Sequence, residues 1–326
     1  MPAPSTRVAP ASAVVAEAAL PGGGELSILR VDAARAADVL SVVHAAFAAR
    51  PPVEPPAAAL SDDLASIARK LQSGFGLLGE VDGRPAAALI VGLDGTAANL
   101  TRVAVHPDHQ HRGIATAMVQ CAMDLLAADG ARTLRLQARV EFPAIGRWWR
   151  RRGFVRVGEQ PSVELLQRRL PVLVEAPTAE SMRALGERLA ALLRPGDVII
   201  ATGDLGAGKT TLTQGIGAGL GVAGPVISPT FVLSRVHRSS VGGPGLVHVD
   251  AYRLGSFDEL EDLDLEASLA DSVTLIEWGG GIAEGLADDR LDIDIRRGLD
   301  PQDDTRLVFL AGTGHRWDDV ELEQLR

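Results

Sequence analysis

The segment Gly203-Asp-Leu-Gly-Ala-Gly-Lys-Thr210 places glycines, a lysine and a hydroxyl at the spacing G-x-x-x-x-G-K-[ST]. That spacing suits phosphate chemistry. Glycines let successive backbone N–H groups close around phosphate oxygens, and a helix N-terminus behind them adds a favourable dipole. Lys209 would reach the outer phosphates of a nucleoside triphosphate and Thr210 would ligate Mg²⁺. Gly203, Asp204, Leu205, Gly206, Ala207, Gly208 and Thr211 complete the expected cradle. Hydrolysis also needs a carboxylate near the metal and a means of positioning water. Asp250 ends the apolar run Leu246–Val249, and Glu277 ends Val273–Ile276.

A second stretch carries weaker chemistry. In Leu100-Thr-Arg-Val-Ala-Val-His-Pro-Asp-His-Gln-His-Arg-Gly-Ile-Ala115, an apolar strand pattern leads through a short loop to a helix start. Gln110-x-x-Gly113-x-Ala115 puts small residues where backbone amides would approach a pyrophosphate. A plain strand–turn–helix is the alternative. Farther on, Arg147, Arg150, Arg151, Arg152 and Arg156 form the densest basic run. A solvated helix face, a phosphate subsite and an RNA contact are its three readings.

The elements that must position these residues follow from periodicity and turn signals. Leu26–Arg30 reads as a strand, Ala33–Ala49 as a helix, and Leu60–Leu71 as a helix with Ser61 and Asp62 as cap candidates. Gly76–Val81 and Arg84–Leu93 read as strands joined at Asp82-Gly83, a hairpin signal. Ala98–Val105 is a strand, 113–129 a helix, Thr133–Ala138 a strand and Ile145–Arg152 a helix. Phe154–Glu159 and Val163–Arg169 read as closing strands. Composition breaks at Leu170–Thr178. Beyond it come a helix from Thr178, the strand Val198–Thr202, the helix Lys209–Leu220, the strands ending at Asp250 and Glu277, and late strands Leu291–Ile295 and Thr305–Leu310. In parallel α/β sheets ligands bind beyond the carboxyl ends of strands, so both acids are expected to face the phosphate loop.

The reading is α/β with two domains: a mixed sheet with flanking helices over 25–170, and a parallel-rich sheet with flanking helices over 171–326. A chain of 326 residues fits two domains of ordinary size. The formal net charge of -10 argues against a general nucleic-acid-binding surface, leaving room for RNA contact through a partner. Cys121 is the single cysteine, so no intrachain disulfide framework exists and a cytoplasmic setting is expected. No stretch of about 20 apolar residues suggests a membrane span. Residues 1–24 read as a disordered extension, since Glu17 interrupts the apolar run and only Arg7 supplies the charge of a secretion signal. Lysine occurs only at Lys70 and Lys209, followed by Leu-Gln and Thr-Thr, so an Asn-Lys-x-Asp guanine reader is absent. That favours ATP, with a guanine site built from backbone groups as the alternative.

Four blocks in order carry a resemblance: Gly203-Asp-Leu-Gly-Ala-Gly-Lys-Thr-Thr211, Ser228-Pro-Thr-Phe231, His248-Val-Asp-Ala-Tyr-Arg-Leu254 and Ile276-Glu-Trp278. Together they resemble the TsaE family of ATPases of tRNA threonylcarbamoyladenosine biosynthesis. The resemblance implies that Lys209 and Thr210 take phosphate and Mg²⁺, that Thr230 lies in a nucleotide-sensing switch, and that Asp250 is needed for hydrolysis. It implies that Glu277 lies at the metal and that Trp278 packs beside the nucleotide. It further implies TsaB- and TsaD-type partners, which modify adenosine 37 and hold most of the tRNA. Many relatives carry proline after the tryptophan; Gly279-Gly280-Gly281 here implies a more mobile loop.

The N-terminal order of elements, with Gln110, Gly113, Ala115 and Gly153-Phe154, resembles the GNAT family of acetyl-coenzyme A-dependent N-acetyltransferases. The resemblance implies that Val103 and Val105 contact the pantetheine arm through their backbones. Amides of His111, Arg112, Gly113, Ala115 and Thr116 would hold the pyrophosphate. Many such enzymes protonate the leaving thiolate with a tyrosine, and the chain's single tyrosine is Tyr252. Trp148 and Trp149 stand in that region instead. Glu80, His106 and Glu141 are candidate bases, each with a surface role as its alternative. A small-molecule kinase, a non-catalytic scaffold and an acetyltransferase regulated by ATP are the competing functions. Scattered Arg235, Arg238 and Arg253 form no kinase lid, and intact Lys209, Thr210, Asp250 and Glu277 speak against a scaffold.

Overall fold

The computed structural model describes residues 13–263, 265, 270–298 and 303–326. The chain divides into two compact units, one ending at Leu170 and the next beginning at Pro171.

The first unit runs β1 (Ala13–Ala19), β2 (Glu25–Val31), α1 (Ala36–Ala48), α2 (Leu64–Gln72), β3 (Gly74–Val81), β4 (Arg84–Asp94), β5 (Ala97–Val105), α3 (Ile114–Ala128), β6 (Thr133–Arg139), α4 (Pro143–Arg150), β7 (Val155–Gln160) and β8 (Val163–Arg169). Among the described residues the sheet has eight strands in the order β1-β2-β3-β4-β5-β6-β8-β7. Strand β4 is buried through Ala86–Val91 because helices cover both faces. Ile114, Met118 and Ala122 of α3 pack on one side, and Val39, Val43, Ile67 and Leu71 of α1 and α2 on the other.

Among the described residues of this unit only β5 and β6 pair in parallel, and only over Ala97–Leu100 with Thr133–Leu136. Just beyond, the β4–β5 register shifts between Ala88 and Ile90, and Arg102 adopts φ 55. A bulge of this kind bends a strand and ends its pairing. Beyond Leu100, β5 therefore parts from β6, and the sheet opens.

Two expectations are corrected here. Residues 13–19 of the expected extension form β1, which pairs antiparallel with β2 from Ala13↔Arg30 to Ala19↔Glu25. Backbone pairing holds this edge strand, and small side chains do not advertise it; residues 1–12 lie outside the described residues. At α2 the cap is Asp63, whose carboxylate accepts from Ser66 N at 2.7 Å. Asp62 is instead buried, accepting from Lys70 at 2.6 Å, from Ser66 Oγ at 3.0 Å and from the Arg102 guanidinium. Burial alone would raise this carboxyl, but the donors from Arg102, Lys70 and Ser66 bring it from 3.8 to about 2.

The second unit runs β9 (Val172–Ala176), α5 (Ala179–Ala190), β10 (Val198–Gly203), α6 (Lys209–Gly219), β11 (Ser234–His237), β12 (Gly245–Asp250), α7 (Phe257–Glu261), β13 (Ser272–Glu277), β14 (Arg290–Arg297) and β15 (Arg306–Thr313). Its described sheet has seven strands in the order β11-β12-β13-β10-β14-β15-β9. β12, β13, β10 and β14 are mutually parallel, β11 and β15 flank them antiparallel, and β9 pairs antiparallel with β15. The composition break at 170–178 thus contains a strand, β9, and Thr178 caps α5 through Ser181 as expected. Helices α5 and α6 cover one face with Leu185, Leu189, Leu212 and Ile216, and Leu260 of α7 packs on the other. Among the described residues no helix is long and apolar enough to cross a membrane.

Glycines let α5 approach α6. A Cβ on Gly186 would stand 2.4 Å from Leu212 O, and one on Gly215 would stand 2.1 Å from Arg183 O. Gly→Ala inside a helix ordinarily stabilises by about 1 kcal/mol. Here overpacking reverses the sign, and Gly186→Ala is expected to cost roughly 1–3 kcal/mol. Denaturant unfolding followed in the second unit checks this; an unchanged or raised midpoint would show that the helices do not meet through these residues. Asp62 yields a second expectation. Its folded pKa is depressed, so its stabilisation is present above 3.8 and is lost as pH falls towards 2. The stability gap between the parent protein and Asp62→Asn is expected to narrow over that window; a gap independent of pH would remove the ion pairs as its source.

Candidate functional site

The loop after β10 turns back on itself through left-handed glycines. Gly203 has φ 139, Gly206 φ 75 and Gly208 φ 110, and Gly208 leads directly into α6. At Gly203 a Cβ would stand 2.4 Å from Ile295 O, so both the conformation and the close approach exclude a side chain. Lys209, at the first turn of α6, folds back over the loop. Its Nζ donates to Gly203 O at 2.7 Å and Asp204 O at 3.0 Å and lies 3.6 Å from the Trp278 ring centroid. Burial lowers this ammonium below its ordinary range, opposed by the charges of Glu277, Asp250 and Asp204.

Strand register then sets the acids. Asp250 and Glu277 are partners at the carboxyl ends of parallel β12 and β13, and Glu277 is also the partner of Ala201 on β10. Both acids are buried. Glu277 accepts from Thr210 Oγ1 at 2.9 and 3.1 Å, which ties the start of α6 to β13. Its Oε1 also lies 2.8 Å from Nε2 of buried His248. A carboxylate accepts, so Nε2 is the nitrogen that donates. Asp250 Oδ2 accepts from Ser228 Oγ at 3.0 Å and Thr230 Oγ1 at 2.6 Å, and Oδ1 accepts from Tyr252 N at 3.1 Å.

Trp278 holds a left-handed φ of 63, anchored by its N–H to Ala201 O at 2.9 Å. That turn lays its ring between Lys209 and Tyr252, whose ring centroid is 5.1 Å away. Two of the glycines that follow are closely packed. A Cβ on Gly279 would stand 2.9 Å from Ile276 Cγ2, and one on Gly280 would stand 2.8 Å from Thr202 Cγ2. Gly281 has open space at its Cβ position and takes a left-handed φ of 82.

Leu205, Gly206, Gly208, Lys209, Thr210, Thr211, Thr230, Asp250, Glu277 and Trp278 together line a cleft of about 450 Å³. Gly203, Asp204 and Ala207 lie outside its wall, with Ala207 in the core beneath. Ser228 and Tyr252 also line the cleft, and His248 stands behind Glu277. The sequence reading gave these three no role, although His248 lies two residues from Asp250 on the same strand face, as Ser228 lies two from Thr230. Among the described residues no group of three or more His, Cys, Asp and Glu could hold a metal ion. Thr210 and Glu277 supply hard oxygen ligands of the number Mg²⁺ takes when phosphates and water provide the rest.

In the first unit the parted β5 and β6 wall a larger cleft, of about 1210 Å³. Val103, Val105, Gln110, His111, Gly113, Ala115 and Thr116 line it. Gly113, at φ 81, opens α3, and Gln110 Nε2 donates to Val105 O at 3.2 Å. Arg112 is turned away, its guanidinium bound to Gly23 O. Of the basic run, Arg150 pairs with Glu164 and Arg156 with Glu159, both near the surface. Arg152 reaches Thr116 Oγ1 at 2.5 Å and stacks 3.5 Å from the Trp148 ring centroid, beside the loop. None of Glu80, His106 and Glu141 lines the cleft: Glu80 pairs with Arg35, Glu141 with Arg139, and His106 accepts from Asp108 N.

The sequence matches the family model "Threonylcarbamoyl adenosine biosynthesis protein TsaE" over residues 176–306 and the "Acetyltransferase (GNAT) family" model over residues 42–154. A Streptomyces coelicolor tRNA threonylcarbamoyladenosine biosynthesis protein TsaE is 57% identical over 146 residues, covering 44% of this chain and 99% of that protein. The Bacillus subtilis protein of the same description is 40% identical over 140 residues, covering 43% and 84%. Among solved structures, an N-acetyltransferase from Thermoplasma acidophilum in complex with coenzyme A is 13% identical, covers 44% of this chain and 98% of its own, and superposes with a TM-score of 0.40.

Proposed function

Because the chain belongs, through its C-terminal half, to the TsaE family, we propose that this half is a Mg²⁺-dependent ATPase that sustains threonylcarbamoylation of tRNA adenosine 37. The transfer itself falls to TsaB- and TsaD-type partners, which hold the tRNA, in the cytoplasm. One observation carries the reading. Lys209 and Thr210 of α6, Thr230, Asp250 at the end of β12, and Glu277 and Trp278 at the end of β13 converge on one cleft.

Loop amides and the Lys209 ammonium bind the phosphates, and the Trp278 ring packs beside the nucleotide. Thr210 and Glu277 hold Mg²⁺, which when bound neutralises charge on the outer phosphates. Asp250 orients the attacking water, and its hydrogen bonds with Ser228 and Thr230 link that role to the 228–231 segment. His248 fixes Glu277 from behind.

For the N-terminal half we propose acetyl transfer from acetyl-coenzyme A to an amine. The pyrophosphate lies against the amides from His111 to Thr116, and the pantetheine arm lies along Val103 and Val105. The parted strands of the GNAT-type sheet support this, since beyond Leu100 the β6 side of β5 has no ladder partner and lines the cleft instead.

Lys209→Ala is expected to lower ATP turnover by about 10²-fold or more. Glu277→Ala is expected to raise the Mg²⁺ concentration needed for half-maximal turnover. Steady-state hydrolysis across a Mg²⁺ titration, with and without TsaB- and TsaD-type proteins, checks both; full activity in the first variant, or an unchanged Mg²⁺ requirement in the second, would sink the assignment. For the other half, calorimetry is expected to show saturable binding of acetyl-coenzyme A to the full chain, and absence of binding heat would end the acetyltransferase reading.

A further inference from the structure

The wall of the cleft in the first unit also includes Phe47, Arg50, Pro55, Ala59, Arg102 and Arg139, none of which belongs to the loop Gln110–Thr116. Three arginines of the cleft wall are engaged: Arg102 with Asp62, Arg139 with Glu141 and the Glu54 carbonyl, and Arg135 with Gln167. Arg50 differs. Its guanidinium lies 3.9 Å from the Phe47 ring centroid and donates to Val103 O at 3.4 Å, and among the described residues no carboxylate pairs with it. Burial lowers its pKa, as expected of a cation withdrawn from water without a counter-ion. No Asp or Glu lines this cleft. A guanidinium so placed is suited to a planar anion, which it can bind through two parallel hydrogen bonds.

We propose that the acyl acceptor is an amine that also carries a carboxylate, and that Arg50 binds the carboxylate in this cleft. The inference rests on the acetyltransferase reading of this half. The amine nitrogen attacks the thioester carbonyl carbon, a C–N bond forms and the C–S bond breaks. The amine's proton passes to water and the thiolate sulfur takes a proton from water; His109 and His111 are the titratable bases of the cleft wall, which offers no carboxylate or tyrosine among the described residues. The phosphates of coenzyme A are the other anions in reach of the cleft. The loop that would bind them, Gln110–Thr116, adjoins Val105, whereas Arg50 contacts Val103.

The test uses the full chain, acetyl-coenzyme A and acceptors in acid–amide pairs: alanine with alaninamide, β-alanine with β-alaninamide, and alanyl-glutamyl-alaninamide with alanyl-glutaminyl-alaninamide. Thiol release gives kcat/KM for each, and calorimetry gives the affinity for acetyl-coenzyme A. The acid is expected to be preferred in at least one pair by about tenfold or more. Arg50→Gln is expected to bring that ratio near one, and Arg50→Lys, which keeps the charge, to retain most of it. Equal use of acids and amides overturns the proposal, as does failure of every acceptor while acetyl-coenzyme A binds. Weakened acetyl-coenzyme A binding in Arg50→Gln with an unchanged ratio overturns it too, and assigns Arg50 to the coenzyme's phosphates. If the parent chain does not bind acetyl-coenzyme A, the acetyltransferase reading falls first and the proposal with it.

Discussion

Asp250 and Glu277 end adjacent parallel strands in direct register, so two buried carboxylates are carried on backbones one strand spacing apart, about 4.8 Å by sheet geometry. Like charges so close, and away from water, must each be compensated. The rest of the nucleotide cleft follows from that need. Glu277 takes the Thr210 hydroxyl on one side and His248 on the other. Asp250 takes two hydroxyls and the Tyr252 amide from the two segments that cross the strand ends. Lys209 supplies the cation, and Trp278 covers it with a ring face, an attractive contact for an ammonium withdrawn from water. These groups come from α6, β12, β13 and the segments that follow α6 and the two strands, so the cleft exists only when the central sheet is assembled.

The N-terminal cleft arises from the opposite condition, a lapse in pairing. β5 and β6 share only a short parallel stretch before the irregularity at Arg102 separates them. Backbone groups that would have been spent on a ladder then become available to Gln110 and Arg50, at Val105 and Val103. Asp62 stabilises the irregular position by holding the Arg102 side chain, with Lys70 as a second cation on the same carboxylate. A residue resembling a helix cap in the sequence is in fact the anchor of the bulge that opens the cleft.

The chemistry was legible wherever it is written along one segment. The phosphate loop needs strand, glycines, lysine and helix in immediate succession, and the strand-end acids needed only an apolar run before them. Local signals of that sort survive without knowledge of the fold. The edge strands β1, β9 and β11 left little trace, because pairing energy at a sheet edge resides in the backbone and their side chains are small, mixed or half-exposed. Asp62 was misplaced for a related reason: its partner Arg102 is distant in sequence, and the neighbouring Asp63 satisfies the cap equally well on pattern alone. The triple glycine after Trp278 suggested mobility, yet Gly279 and Gly280 stand where Ile276 and Thr202 leave no room for a Cβ.

The two clefts also differ in charge, and that difference constrains what each can hold. The nucleotide cleft mixes one cation, Lys209, with two carboxylates, Asp250 and Glu277. The other cleft is lined by arginines and histidines with no carboxylate, so it can take an anion directly. An overall charge of -10 conceals this contrast, since the acids that dominate the total lie outside the arginine-lined cleft. Net charge thus describes the chain's encounter with bulk polyanions, while each cleft wall sets its own selectivity within a few ångströms, where screening by salt is weakest.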